Sequence, residues 1–362
     1  MKVLISTDTV GGVLTYTTQL AAALEARGTE VVVATMGPRL RREQRALLPG
    51  KVHEGAYRLE WMEDPWEEVD AGGRWLLDLE GEEQPDVVHL CSYAHGALPF
   101  EAPTVLVAHS CVLSWWRAVY GTEASATWST YRQRMAAGLA GADAVVAPTW
   151  AMLRELEGDH DLWPNQARVI HNGSPAPHPS STEKRPLVLG SGRFWDPAKN
   201  LAALDAAAAH LSWPVVVAGE LGRFGEPKHA ESTGVLAQAE LAELRRSACI
   251  YAAPALYEPF GLGILEAALD RCALVLGDIP SLRELWDGAA LFVDPGDHDL
   301  LREALESLIS DRELRVDLAE RAWRRAGVYS IERAAQAYHH LYGDIVECPR
   351  KAAGSALQGA HR

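Results

Sequence analysis

"KVLISTDTVGGVLTYTTQLAAALEARGTEVVVAT", residues 2–35, decides the fold. An apolar run over residues 2–7 leads into paired glycines, Gly11 and Gly12. Residues 13–27 carry a helical pattern that closes at Gly28, and residues 30–35 form a second apolar run. Strand, glycine turn, helix and strand follow in that order. The rhythm continues through "PDVVHL" (85–90), "TVLVAH" (104–109) and "DAVVAP" (143–148). Continuous apolar strands separated by helices predict a parallel sheet covered on both faces.

At residue 186 the rhythm restarts. "PLVLGSG", "PVVVAGE", "CIYAAPA", "ALVLGD" and "ALFVDP" read as strands, with "NLAALDAAAAHL" and "LAELRRSA" as helices between them. The stretch 172–186, "NGSPAPHPSSTEKRP", is rich in Pro and Ser and reads as a linker. The fold class is therefore α/β. A first doubly wound domain over 1–171 and a second over 187–328 are expected to face each other across a cleft, where ligands commonly bind. A helix over 329–348 is expected to pack back on the first domain, and 349–362 reads as a disordered tail.

A net charge of −15 sets the surface against the phosphate backbone of nucleic acid. Five scattered cysteines without a CxxC pair read as reduced thiols. The N-terminus lacks a signal-peptide pattern, and no apolar run approaches the ~18 residues of a membrane span. A soluble, cytoplasmic protein is expected.

Three motifs carry chemistry. Gly11 and Gly12, between a strand and a helix, let backbone N–H groups approach an anion or polar ligand, or simply make a tight turn. No G-x-G-x-x-G accompanies them. In "GSGRFWDPAKN", 190–200, Gly190 and Gly192 end a strand and are followed by Arg193 and Lys199. Two cations at the C-terminal edge of a parallel sheet can clamp a diphosphate, or can be solvated surface charges. "YEPFGLGILEAAL", 257–269, then places Glu258 before a helix and Glu266 among apolar residues on it. The N–H groups of Phe260, Gly261 and Leu262 at that helix end favour negative charge. Glu266 lies ~7.5 Å beyond Gly261 at ~1.5 Å per residue, where it can accept hydrogen bonds from the vicinal hydroxyls of a ribose. As alternatives, Glu258 can cap the helix and Glu266 can pair with a cation.

The spacing from Glu258 to Glu266, with Phe260 and Gly261 between, resembles the E-x7-E motif of retaining glycosyltransferases of the GT-B fold, and more narrowly family 4. "GGVLTYTTQLAAALEARGTEVVVAT", "VIHNG", "GRFWDPAKN", "VVVAGE" and "PSLREL" also fit, so the resemblance covers nearly the whole chain. It implies transfer of a sugar from a nucleotide diphosphate-sugar co-substrate (UDP, GDP or ADP form) to an acceptor hydroxyl, with retention and without a metal or other cofactor. Arg193 and Lys199 would bind the diphosphate with the N–H groups of Phe260, Gly261 and Leu262. Gly12 and Gly192 would complete the donor site. Glu266 would hold the ribose and Glu258 the donor sugar. His109, ending "TVLVAH", would reach the donor sugar, and it can also be read as a satisfied strand-end histidine. Two departures bear on the pocket: "EAALDRC" replaces "EAMA-x-G", and "AGE" at 218–220 lacks a second glycine.

Asp297-His298-Asp299 and Asp159-His160-Asp161 spell D-x-D, a metal motif elsewhere. Asp297 reads better as an N-cap, and no further ligands lie at a recognisable spacing. Of twelve tryptophans, most fit a core. Trp115 and Trp116, with Trp128 and the glycine Gly11, are candidates to line an acceptor site in the first domain. The acidic, aromatic segment 57–76 has no assignment. Rival functions on the same fold are an epimerase, a phosphorylase or a non-catalytic nucleotide-sugar binder. No lysine matches a pyridoxal site, and the intact Arg193, Lys199, Glu258 and Glu266 speak for catalysis.

Overall fold

A computed structural model describes residues 1–159, 167–176, 182–222 and 225–348. The chain divides into two compact units. The first comprises Met1–Ser114, Glu123–Asn172 and the chain from Ile331 onward; the second comprises Trp115–Thr122 and Gly173–Ser330.

In the first unit, β1 (Lys2–Asp8), α1 (Gly12–Glu25), β2 (Glu30–Met36), α2 (Arg42–Leu47) and β3 (Lys51–Glu54) come first. They are followed by α3 (Trp66–Glu83), β4 (Val87–Leu90), β5 (Thr104–Val107), α4 (Val112–Tyr120), α5 (Ser129–Gly141), β6 (Ala144–Ala147), α6 (Trp150–Asp159) and β7 (Ala167–Val169). The end of α4, from Trp115, groups with the second unit. All strands pair parallel in the order β3-β2-β1-β4-β5-β6-β7, so the order reverses between β1 and β4. Ligands of open α/β sheets bind beyond the strand ends at such a reversal.

The second unit repeats the scheme with β8 (Arg185–Ser191), α7 (Leu201–Ala208), β9 (Val215–Ala218), β10 (Glu231–Gly234), α8 (Gln238–Ser247) and β11 (Ala248–Ala253). Then come α9 (Leu262–Leu269), β12 (Ala273–Gly277), α10 (Pro280–Trp286), β13 (Leu291–Val293), α11 (His298–Ser310) and α12 (Arg312–Ala326). Its parallel order is β10-β9-β8-β11-β12-β13. Period-two alternation feeds two cores. Leu187, Leu189, Leu274 and Leu276 face α9, α10 and α12, while Val188 and Val275 face α7 and α11.

The last helix, α13 (Ile331–Glu347), lies in the first unit against α1. Tyr338 and Tyr342 are fully buried there, Arg27 donates to the Glu332 carbonyl at 3.1 Å, and Thr29 meets His339 at 3.3 Å. Of the four points where the chain changes unit, the last two, after Asn172 and after Ser330, adjoin. The Ser174 amide donates to the Tyr329 carbonyl at 3.1 Å, and Ser174 bridges Ser330.

Three differences from the sequence reading stand out. The sequence reading missed β3, β7 and β10, all sheet edges with a polar or charged make-up ("KVHE", "ARV", "ESTG"), because an edge needs no continuous apolar run. The first domain is not continuous over 1–171, since Trp115–Thr122 groups with the second unit. The stretch assigned as linker over 172–186 already contains the start of β8 at Arg185, and its residues 177–181 lie outside the described ones, as do 349–362. Among the described residues, no helix is long and apolar enough to cross a membrane, and none of the five cysteines forms a disulfide.

Candidate active site

Strand β8 ends in the loop that carries the cations. The Gly192 amide donates to the Ala218 carbonyl at 3.1 Å, which ties the ends of β8 and β9 together. A Cβ on Gly219 would stand 1.8 Å from the Gly192 carbonyl oxygen, so only glycine lets these two loops touch. Beyond them Asp196 caps a short 3-10 turn, Pro197–Lys199, by accepting from the Ala198 amide, and Asn200 takes a left-handed conformation at φ 55°. The turn aims Lys199 at Glu258, Nζ to Oε2 2.5 Å, with each side chain about one-fifth exposed. Arg193 takes another course. Its guanidinium stacks over the Trp195 ring at 5.2 Å and has no ion-pair partner among the described residues. Glu220 accepts from the Trp195 indole at 3.1 Å and holds that platform in place.

Glu258 stands before α9, and its carbonyl accepts from the Ser281 hydroxyl at 2.6 Å. Gly261 precedes the helix with φ +84°, where a Cβ would meet Ile264 Cδ1 at 2.8 Å. The Phe260 ring is core, edge-on to Tyr329 at 5.8 Å, so its contribution to a ligand is its backbone. The Gly261 carbonyl takes the amides of Ile264 and Leu265, and the Leu262 and Gly263 amides ahead of them have no acceptor among the described residues.

Glu266, one turn into α9, is paired. Arg245 Nη1 donates to its Oε2 at 2.7 Å, and Arg245 Nε donates to Asp270 Oδ2 at 2.6 Å. Burial pushes the Glu266 carboxyl up, Arg245 opposes that, and Asp270 adds to it. The cation-partner reading of Glu266 is thus realised, while Oε1 accepts no hydrogen bond among the described residues. Nearby, the Tyr251 hydroxyl meets Ser191 Oγ at 2.8 Å, and burial pushes it up to about 12.

In the first unit, Gly11 (φ +78°) and Gly12 open α1, and a Cβ on Gly12 would meet nothing within 4 Å. His109 follows β5. Its Nε2 lies 3.3 Å from Cys91 Sγ, and its ring sits edge-on to Tyr16 at 4.5 Å. Burial pushes it down to about 3, so the imidazole is neutral at physiological pH. Tyr16 in turn meets His89 Nε2 at 3.3 Å, and His89 Nδ1 meets the Tyr342 hydroxyl at 2.7 Å.

Trp115 and Trp116 do not stay with the first sheet, which corrects their placement in the first domain. They group with the second unit, where the Trp115 indole donates to Asp196 at 2.9 Å beside the Lys199 turn. Of the D-x-D candidates, Asp297 caps α11 by accepting from the Asp299 and Leu300 amides, both at 3.0 Å. His160 and Asp161 lie outside the described residues. Two residues escaped the sequence reading. Arg245 sits in "LAELRRSA", where it looks like helix surface. Glu60, in the unassigned 57–76 segment, accepts from Ser92 Oγ and from the Tyr93 and Ala94 amides at 2.9–3.0 Å and closes the turn after β4. A carboxylate beside Trp61 gave no signal of these contacts.

The chain is similar to known proteins along most of its length. Residues 10–175 match the model "Glycosyltransferase Family 4", and residues 177–325 match "Glycosyl transferases group 1". The alpha-maltose-1-phosphate synthase of Mycolicibacterium smegmatis is 28% identical over 76% of this chain and 77% of its own length. A D-inositol 3-phosphate glycosyltransferase of Corynebacterium jeikeium is 33% identical over 36% of this chain, a match that spans only 31% of that relative. The fold is that of the sucrose-phosphate synthase of Thermosynechococcus elongatus (TM-score 0.77, 17% identity, 95% and 99% of the two chains). It is also that of Anabaena HepE, solved with UDP-glucose (TM-score 0.75, 17% identity, 95% and 100%).

Proposed function

The chain belongs to the family 4 glycosyltransferases of the GT-B fold, and from that premise we propose that it moves a sugar from a nucleoside diphosphate to an acceptor hydroxyl, with retention and without a metal. The observation that carries the reading is the Lys199–Glu258 pair at 2.5 Å beside the start of α9. One cation and one acid stand together where a diphosphate and the sugar attached to it would meet. The donor's C1–O bond to the diphosphate breaks, and the acceptor oxygen bonds to C1 on the same face. The acceptor's proton passes to the departing phosphate oxygen. Charge grows on that oxygen, and Lys199, Arg193 and the amides at the start of α9 would stabilise it in place of a metal. Gly192 and Gly12 give a ligand close approach to backbone, Glu258 serves the sugar hydroxyls, and Glu266 the ribose. His109, being neutral, serves as a hydrogen-bonding group to the sugar rather than as an acid. Gly11 and Trp116 are kept as acceptor candidates. HepE was solved with UDP-glucose, which makes UDP-sugars the first donors to try.

Product NMR of the first turnover from an α-linked donor, run with and without EDTA, tests the reading. An α-glycoside formed at an undiminished rate is expected. A β-glycoside would exclude retention, and a strict Mg²⁺ or Mn²⁺ requirement would exclude the cation clamp as sole stabiliser. Arg193→Ala should lower kcat by ~100- to 1000-fold with a smaller change in donor KM, on the scale of losing one oxyanion donor. A change confined to KM would show that Arg193 binds the donor without stabilising the leaving group.

A further inference from the structure

We propose that Arg245 is a positioning residue, one that keeps Glu266 ionised and turns its free oxygen toward the ribose diol of the donor. The inference rests on the reading of Glu266 as the ribose ligand, and the experiment below separates the failure of one from the failure of the other.

Glu266 stands on α9 and Asp270, four residues further, is the C-cap of that helix, and both carboxylates reach Arg245. Left alone, two buried acids at that spacing repel, and at least one takes up a proton. Arg245, at the C-terminal turn of α8, lies across both and is itself only 12% exposed. Its planar guanidinium spends Nη1 on Glu266 and Nε on Asp270. A flexible ammonium cannot reproduce that two-point hold. Asp270 is 6% exposed and fixes one side of the fork, which leaves Glu266 Oε2 one permitted orientation.

What remains is Glu266 Oε1, on a side chain 20% exposed. A diol donates two hydrogen bonds, and only an ionised carboxylate accepts both without offering a competing proton. The other groups around α9 do not set this charge. The Tyr251 hydroxyl on β11 is neutral. Strand β12 carries no titratable group. On α12, Glu320 pairs with Arg271 and Arg324, Arg321 with Asp317, and Arg325 with the carbonyls of Leu285 and Asp287. Asp270 sits where the family resemblance leaves a variable position, so this chain supplies the fork's second anchor itself.

Calorimetry with UDP, GDP and ADP, each against its 2′,3′-dideoxy counterpart, reads the diol directly between pH 6.5 and 8.5. Taking the ratio of the two Kd values cancels the ionisation of the phosphates. For the nucleotide that binds tightest, the intact protein should favour the ribose form by ~10- to 100-fold, flat with pH, as hydrogen bonds to a charged group predict. Arg245→Met removes the only cation paired with Glu266 among the described residues. Its preference should fall toward unity at pH 6.5 and recover as the pH rises and Glu266 ionises. Arg245→Lys, which keeps the charge and loses the fork, should give a reduced but pH-flat preference, and it carries the test should Arg245→Met fail to fold. Adding Arg245→Met to Glu266→Gln should change nothing further. A full, flat preference in Arg245→Met, or in Arg245→Lys if only that variant folds, overturns the positioning role and leaves the ribose reading standing. A full preference in Glu266→Gln overturns the ribose reading itself. Binding of none of the three nucleotides overturns the donor assignment.

Discussion

Gly138 and Gly12 show how differently two glycines can matter. On α5, a Cβ at Gly138 would fall 1.7 Å from the Tyr93 carbonyl oxygen, where the helix crosses the 3-10 turn Ala94–Ala97. Backbone stands on both sides, so nothing flexible can yield. Gly138→Ala should cost at least ~3 kcal/mol, the upper range for overpacking, as a drop in the denaturant midpoint. Gly12→Ala faces open space at the first turn of α1 and should hold stability or raise it by up to ~1 kcal/mol, since alanine is the better helix former. If Gly12 gives the donor access to backbone, that same variant loses donor affinity while its stability does not suffer. A loss of stability at Gly12 would make it a plain turn residue. The sequence marked Gly12, because a glycine pair between strand and helix has a chemical reading. It could not mark Gly138, whose constraint comes from a carbonyl 45 residues earlier in the chain. For the same reason Glu258 and Lys199 were legible from their own motifs, and the fork of Arg245 was not.

Among the elements, α13 is the one whose pattern was plain and whose partners were not. Its apolar stripe announces a helix that must bury a face. It does not announce that the Tyr342 hydroxyl meets His89, a fully buried strand residue pushed down to about 3 by burial, with the His109 charge a lesser contribution. A histidine depressed in the folded state is neutral there and takes up its proton on unfolding. The stability it contributes is complete above its unfolded value near 6.5 and is lost as pH falls toward 3. Between pH 6.5 and 5 the first unit should therefore lose up to ~1.4 kcal/mol per pH unit for each such histidine, His89 and His109. Glu83, held at about 2 chiefly by Lys51 and Lys2, acts in the same direction but only below about 4.5. Denaturant titrations at pH 7.5, 6 and 5 check the slope, and His89→Phe should remove part of it, since burial lowers His95 in the same unit as well. A stability flat across that window would mean that His89 is protonated, or relaxed, in the folded protein.

At the scale of the molecule, the repeated strand–helix rhythm gave both parallel sheets in advance, since buried central strands must be apolar. What escaped was the make-up of the edges and the grouping of Trp115–Thr122 with the second unit, because neither follows from a local pattern. The pairing of Ser174 with Ser330 has a consequence of a different kind. A stretch of chain that departs and returns through neighbouring residues is topologically an insert, and an insert can be lifted out or traded without severing its host. Residues 173–330 produced alone should melt in one cooperative transition and bind a nucleoside diphosphate. The host, with 172 rejoined to 331, should fold around its own seven-stranded sheet. Aggregation of the excised segment would show that Trp115–Thr122 is essential to it. If both pieces fold, the preference for one nucleotide over another becomes a cassette, exchangeable between relatives by two cuts made side by side.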